Sequence, residues 1–178
     1  MKSKQVYLAT SSAELTTLAE ATVRNSGDAI ILVPVDFSDH SQAALVQASE
    51  FASMMPATLV VLHVVHDPGE MPGYYSKLVK KKRATRMPDI AAEAFQEFME
   101  RTIEANPNFD PLLQAERLMV IGLPVTRILE VVEHLDPIMV VMGSQGRTGL
   151  QHLVIGSKAA QIVQLCPVPV TIVKKQES

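Results

Sequence analysis

The chain has 178 residues, a formal net charge of −3 at pH 7, 47% hydrophobic residues and only 4% aromatic ones. That is enough chain for one domain with a full aliphatic core, of the kind a sheet covered by helices provides. The slightly negative balance argues against general nucleic-acid affinity, and the one cysteine, Cys166, rules out an intrachain disulfide. No charged-apolar-small pattern opens the chain, and no apolar run approaches the roughly 20 residues of a membrane span. A cytosolic protein is therefore expected.

Residues 1–28 differ in character from the rest of the chain. "SSAELTTLAEATVRNSGD" has a serine start, a weak helical stripe (Leu15, Leu18, Ala19, Val23) and an Asn-Ser-Gly stop, so this extension is expected to be helical or flexible. From Ala29 the signals sharpen. "AIILVPVDFS" is a continuous aliphatic run, as in a strand buried on both faces, and it ends at Asp36. Ser38 or Asp39 then caps a helix through about residue 52, with Ala43, Ala44, Val46, Ala48 and Phe51 on its apolar side. "ATLVVLHVVHD" at 57–67 is a second buried strand.

A long polar connection comes next, "PGEMPGYYSKLVKKKRATRMP", punctuated by proline and glycine and lacking a clear period. Its basic residues Lys77, Lys80, Lys81, Lys82, Arg83 and Arg86 are either a solvated face or a docking patch for an acidic partner or a lipid surface. Because it leaves the second strand at its carboxyl end, it is also a candidate lid over a bound polyanion. "DIAAEAFQEFMERTIEA" is a helix capped by Asp89, and "NPNFDP" breaks it. "QAERLMVIG" supplies a third strand ending at Gly122. "PVTRILEVVEHL" is a helix with Pro124 in its first turn, and "DPIMVVMG" is a fourth strand. "SKAAQIVQL" is the last helix and "VPVTIVKK" a fifth strand. Cys166, between these two, reads as a small buried hydrophobe rather than a nucleophile.

Strand and helix alternate five times, which predicts a five-stranded, mostly parallel sheet with helices on both faces. Ligands of such sheets sit beyond the carboxyl ends of the strands, near a switch point in strand order. Asp36, the residues around Val64, Gly122 and Gly143 all fall on that edge.

Four of the eight glycines lie in the fourteen residues from Gly143 to Gly156, between the fourth strand and the last helix. Glycine permits positive φ and close backbone approach, and a helix N-terminus offers free N–H groups and partial positive charge. Together these make a phosphate site, to which Ser157 adds a hydroxyl and Arg147, Lys158 or both add charge. A loop that merely needs tight turns is the alternative. The order Gly156-Ser157-Lys158 excludes a P-loop, G-x-G-x-x-G is absent, and Ser144 lacks the G-x-S-x-G setting of a hydrolase nucleophile.

The pattern G-x2-G-x9-G-[ST], met by Gly143, Gly146, Gly156 and Ser157, resembles the ATP-binding branch of the universal stress protein family. "VPVDFS" at 33–38, "LHVV" at 62–65 and "CPVPVTIV" near the end resemble its first, second and last strands, so the likeness covers residues 29–175 and leaves 1–28 outside. The resemblance implies a Rossmann-like fold of the adenine nucleotide alpha hydrolase-like kind, with ATP as ligand. It implies that Asp36 lies at the adenosine end, Pro34 lines the pocket and Val64 meets adenine through its backbone. Met142 and Gly143 would lie near the ribose and first phosphate. Gly146, Gly156, Ser157 and the amide of Lys158 would hold the phosphates. Arg147 is a phosphate candidate by charge. The family often has histidine or arginine where this chain has Gln145. The resemblance also implies a homodimer through the last strand, residues 168–174, an apolar edge that a symmetric partner would cover.

Other residues carry weaker signals. His63, mid-strand, is expected in the core. His66 and Asp67, just past a strand end, approach a ligand or nothing. Glu133 and His134 read as a solvated face. No cluster has metal spacing, so Mg²⁺ would come only with a nucleotide's phosphates, and no catalytic base stands out. The expected function is a nucleotide-dependent regulatory module of the stress response. The rivals are a slow or partner-activated ATPase and a protein-interaction module whose glycine loop is structural.

Overall fold

Alternate residues of the aliphatic runs face opposite sides of one sheet, and each side carries its own helices. The structure, a computed structural model, describes residues 6–9, 13–17, 29–66, 87–146 and 155–175. In chain order the elements are β1 (Val6–Ala9), β2 (Ala29–Val35), α1 (Asp39–Met54), β3 (Ala57–Val65), α2 (Met87–Ala105) and α3 (Asp110–Gln114). Then come β4 (Glu116–Ile121), α4 (Pro124–Leu135), β5 (Met139–Gly143), α5 (Ser157–Leu165) and β6 (Val170–Val173). A short helical stretch occupies residues 13–17.

The sheet order is β1-β4-β3-β2-β5-β6, and every pair of neighbours is parallel. Ile31, Val33 and Val35 of β2, with Leu59, Val61 and Val65 of β3, pack under α1, α2 and α3. The intervening Ile30, Leu32, Val60 and Leu62 pack on the other face, under α4 and α5. This period of two with both faces apolar is what makes each strand read as an unbroken hydrophobic run. No helix among the described residues is long and apolar enough to cross a membrane.

Three features differ from the sequence expectation. The sheet has six strands, not five, because the extension supplies β1, paired from Val6↔Arg117 to Ala9↔Val120. Four residues are too few to show a period, so this strand is invisible in the sequence. Its segment also reaches the core, since Ala9 and Leu15 are fully buried in the cluster beneath α4. Second, the break after α2 contains the five-residue α3, which begins Asp110-Pro111 and buries Leu112. Third, α2 starts at Met87, so Asp89 lies in the first turn, where its charge suits the helix dipole, and is not the cap. Elsewhere the local chemistry acts as expected. Ser38 caps α1 by accepting the Ser41 N–H at 3.2 Å, and Pro124 opens α4. Asp136 closes α4 in the left-handed conformation (φ 44°), its N–H bonded to the Val132 carbonyl.

The pairing of β1 and the burial of Leu15 make these described segments of the extension part of the folded unit. Leu15→Ala is expected to lower unfolding stability by about 2–4 kcal/mol in urea titration, the range for emptying a buried leucine site. An unchanged midpoint and slope would mean that the extension does not dock.

Candidate functional site

The strand order reverses between β2 and β5: β3 and β4 extend one way from β2, and β5 and β6 the other. At this switch point the β2–β5 pairing consists of Ile31↔Met139 and Leu32↔Val140. Beyond it the two strands part. Pro34, buried in β2, lies past the last paired residue, so its missing N–H costs nothing in that ladder. A crevice therefore opens at the carboxyl edge, with Asp36 on one bank and Gly143 on the other, where ligands of such sheets bind.

Asp36 is held in a defined pose. Its Oδ1 accepts the Ser38 N–H at 3.1 Å and the Ser38 hydroxyl at 2.6 Å. Ser38 Oγ in turn accepts the Ser41 N–H, so the carboxylate is tied to the positive end of α1. The turn after it is strained. Phe37 has φ 66°, a conformation costing an L-residue on the order of 1–2 kcal/mol. Its ring stacks on His63 at 4.1 Å between centroids, and His63 Nδ1 lies 2.9 Å from the Val35 carbonyl. His63 is 6% exposed and is a core residue, as expected.

The other bank is built on Ser144, which is buried. Its N–H donates to the Val173 carbonyl at 2.8 Å, and its own carbonyl accepts the Gly156 N–H at 2.7 Å. The N-terminus of α5 is thereby pinned beside the end of β5. Gly156 is the N-cap and the first i to i−4 bond is Ala160 N–H to Gly156 O, so the preceding amides of the first turn have no partner within the helix. Ser157 and Lys158 are exposed there. Lys175 closes the far side. Its backbone N–H approaches His40 Nδ1 at 3.4 Å, and its ammonium bonds Asp39 at 2.7 Å, holding that carboxyl below the usual carboxylate range.

The glycines differ in what requires them. Gly156 has φ −68° and ψ 155°, open to any residue, which corrects the expectation of a glycine-only backbone there. Gly122 is the glycine with positive φ (144°) among the described residues. A Cβ on Gly143 would lie 2.7 Å from the His40 carbonyl carbon, because α1 crosses β5 there. A Cβ on Gly146 would lie 2.8 Å from Asp36 Oδ2. A Cβ on Gly156 would meet its nearest atom, Ser144 O, at an ordinary 3.5 Å.

Asp36 and Gly146, far apart in the chain, thus come into contact. Val64 lies on the same edge. The Val65 carbonyl accepts the Gly122 N–H at 3.0 Å, pointing toward β4. Successive peptide groups of a strand point opposite ways, so the Val64 carbonyl turns toward β2, whose pairing with β3 ends at Val35↔His63. Met142 is 8% exposed and packs with Ala159 and Ile162, so only its backbone is at hand for a ligand. His66 Nδ1 lies 3.1 Å from the Gly122 carbonyl, tying the end of β3 to β4. Arg147, Asp67 and the basic run 77–86 fall outside the described residues. The sequence reading gave no site role to His40, Ser144 or Phe37. Phe37 had one visible signal, a bulky residue in a three-residue strand-to-helix turn. Among the described residues no group of three or more His, Cys, Asp or Glu side chains is placed to hold a metal ion.

Gly143→Ala is expected to lower stability by about 1–3 kcal/mol through overpacking against α1. Gly156→Ala should change it by no more than about 0.5 kcal/mol. Thermal melts of the two variants check this, and equal effects would contradict the geometry.

Residues 29–174 match the model of the Universal stress protein family. Universal stress protein MJ0531 of Methanocaldococcus jannaschii is 28% identical over 145 residues, covering 82% of this chain and 81% of its own length. Among solved structures, universal stress protein UspA from Lactobacillus plantarum superposes with a TM-score of 0.64 at 25% identity, over 82% of this chain and 97% of that one. The universal stress protein from Archaeoglobus fulgidus in complex with dAMP gives 0.54 at 20% identity, over 83% and 98%. The last is a likeness of fold alone.

Proposed function

The chain belongs to the universal stress protein family, and from that premise we propose that it binds ATP in the crevice between β2 and β5. The observation that carries the reading is the contact of the Asp36 carboxylate with Gly146, which brings a hydrogen-bond acceptor against the start of the glycine segment at the switch point. Adenine nucleotide is the chemistry that fits both halves. A carboxylate repels phosphate and accepts from a ribose hydroxyl or an amino group, so Asp36 takes the nucleoside. The free amides of Ser157 and Lys158 at the start of α5, with Gly146, Gly156 and the Ser157 hydroxyl, take the phosphates. Arg147 adds charge. Pro34 and the backbone of Met142 and Gly143 line the floor. The dAMP complex of a protein with the same fold supports a nucleotide of this class. Mg²⁺ would enter on the phosphates, since the described side chains supply no cluster to hold it alone.

ATP acts here as a regulatory ligand. Hydrolysis needs a positioned base and charge stabilisation at the leaving phosphate. Asp36 Oδ1 already accepts two hydrogen bonds from Ser38, and the carboxylate is assigned to the nucleoside and not to the attacking water. The dimer is proposed through β6, a four-residue edge strand flanked on α5 by exposed Val163 and Leu165. One observation favours a second reading, a structural and empty loop: Gly143 is required by packing against the backbone of α1, whether or not anything binds.

The two readings part in a titration. The Val64 carbonyl accepts from the amino group of adenine, where guanine presents a carbonyl. Isothermal calorimetry is expected to give ATP at least about tenfold tighter than GTP. Equal affinities would remove the adenine assignment, and no heat with either nucleotide would favour the empty loop.

A further inference from the structure

Among the described residues two non-glycine residues have positive φ, Asp136 and Phe37. Asp136 is a helix-terminating cap, a common use of that conformation. Phe37 ends no helix, and an aromatic residue has no side-chain hydrogen bond to favour the left-handed region. It sits at the exit of β2, next to Asp36.

An imidazole of the neighbouring strand helps to hold it there. The His63 ring stacks on Phe37 at 4.1 Å and 24° between planes. Its Nδ1 lies 2.9 Å from the carbonyl of Val35, so Nδ1 carries the proton and donates. Phe95 and Phe98 of α2 close around the Phe37 ring at 5.8 Å and 5.4 Å. The residues before and after Asp36 are therefore both fastened to one side chain of the neighbouring strand. Asp36 projects between them, its Oδ2 against Gly146. Strain of this kind persists where surrounding packing over-determines it, and it gathers at sites that need a fixed pose.

We infer that Phe37 and His63 form a clamp that positions the Asp36 carboxylate for the nucleoside. Phe37 is a positioning residue: it acts through Asp36 and touches no ligand. The inference rests on the nucleotide reading above. The clamp also links the site to α2, whose aromatic side chains set the room available to the Phe37 ring.

A double-mutant cycle tests this, with ATP and tripolyphosphate titrated calorimetrically into wild type, Phe37→Val, Asp36→Ala and the double variant. A β-branched residue resists the left-handed turn. Phe37→Val is expected to weaken ATP about tenfold alone and less than about twofold when Asp36 is already alanine. Tripolyphosphate, which carries no nucleoside, should bind wild type and Phe37→Val alike. An equal ATP loss in both backgrounds, an equal loss for tripolyphosphate, or no loss at all would overturn the clamp while leaving the nucleotide site standing. A wild type that binds no ATP would bring down the nucleotide reading and the clamp's role together. Where Phe37→Val does not fold, Phe37→Gly serves, since glycine keeps the turn and removes the anchor. Its loss is expected at about threefold, again only with Asp36 present, and the same contrary outcomes apply.

Discussion

The parting of β2 from β5 beyond Leu32 is the constraint on which the rest depends. Two central strands of a parallel sheet would ordinarily pair to their ends. Here α1 crosses over β5 so closely that its His40 backbone abuts Gly143, and a side chain at that position has no room. The crevice that results has α1 along one side and the start of α5 along the other. Each bank is then secured by its own bonds: Asp36 through Ser38 to α1, and Gly156 through Ser144 to β6. The banks approach where Asp36 Oδ2 meets Gly146 and where Ser144 Oγ lies 3.5 Å from His40 Nδ1, and a ligand would add its contacts beside these.

That arrangement accounts for the large share of backbone in the proposed site. The carbonyl of Val64 and the amides at the start of α5 offer hydrogen-bonding groups whose positions are fixed by a strand and a helix. Asp36 is the exception. A side chain at a strand exit has rotamer freedom, and its loss on binding weakens the complex. Tying Oδ1 to Ser38 and fastening Val35 and Phe37 to His63 removes that freedom beforehand. The strain at Phe37 is set against packing with His63, Phe95 and Phe98, none of which reaches the site.

Much of this is legible in residues 29–175. Continuous aliphatic runs announce strands buried on both faces, and helix starts at Ser38 and Pro124 obey local capping chemistry. The carboxyl-edge location of Asp36, Val64, Gly122 and Gly143 comes from strand ends alone. Two things are hidden for physical reasons. β1 is four residues long and gains its identity from pairing with β4, a contact with no local sequence signal. The glycine segment stands out for its torsional freedom, yet Gly143 is needed for space and Gly146 leaves room for the Asp36 carboxylate, and that space depends on what α1 and Asp36 bring against them. Sequence shows that a side chain is absent and leaves open which neighbour requires its absence.

The central claim is that the exit of β2 and the glycine segment, distant in sequence, form one nucleotide site. Amide NMR titration with ATP tests it most directly. The amides of Asp36 to Ser38, those around Val64 and those of Ser144 to Lys158 should shift together and saturate along one binding curve. Shifts confined to the start of α5, or separate curves for the two banks, would contradict a single site.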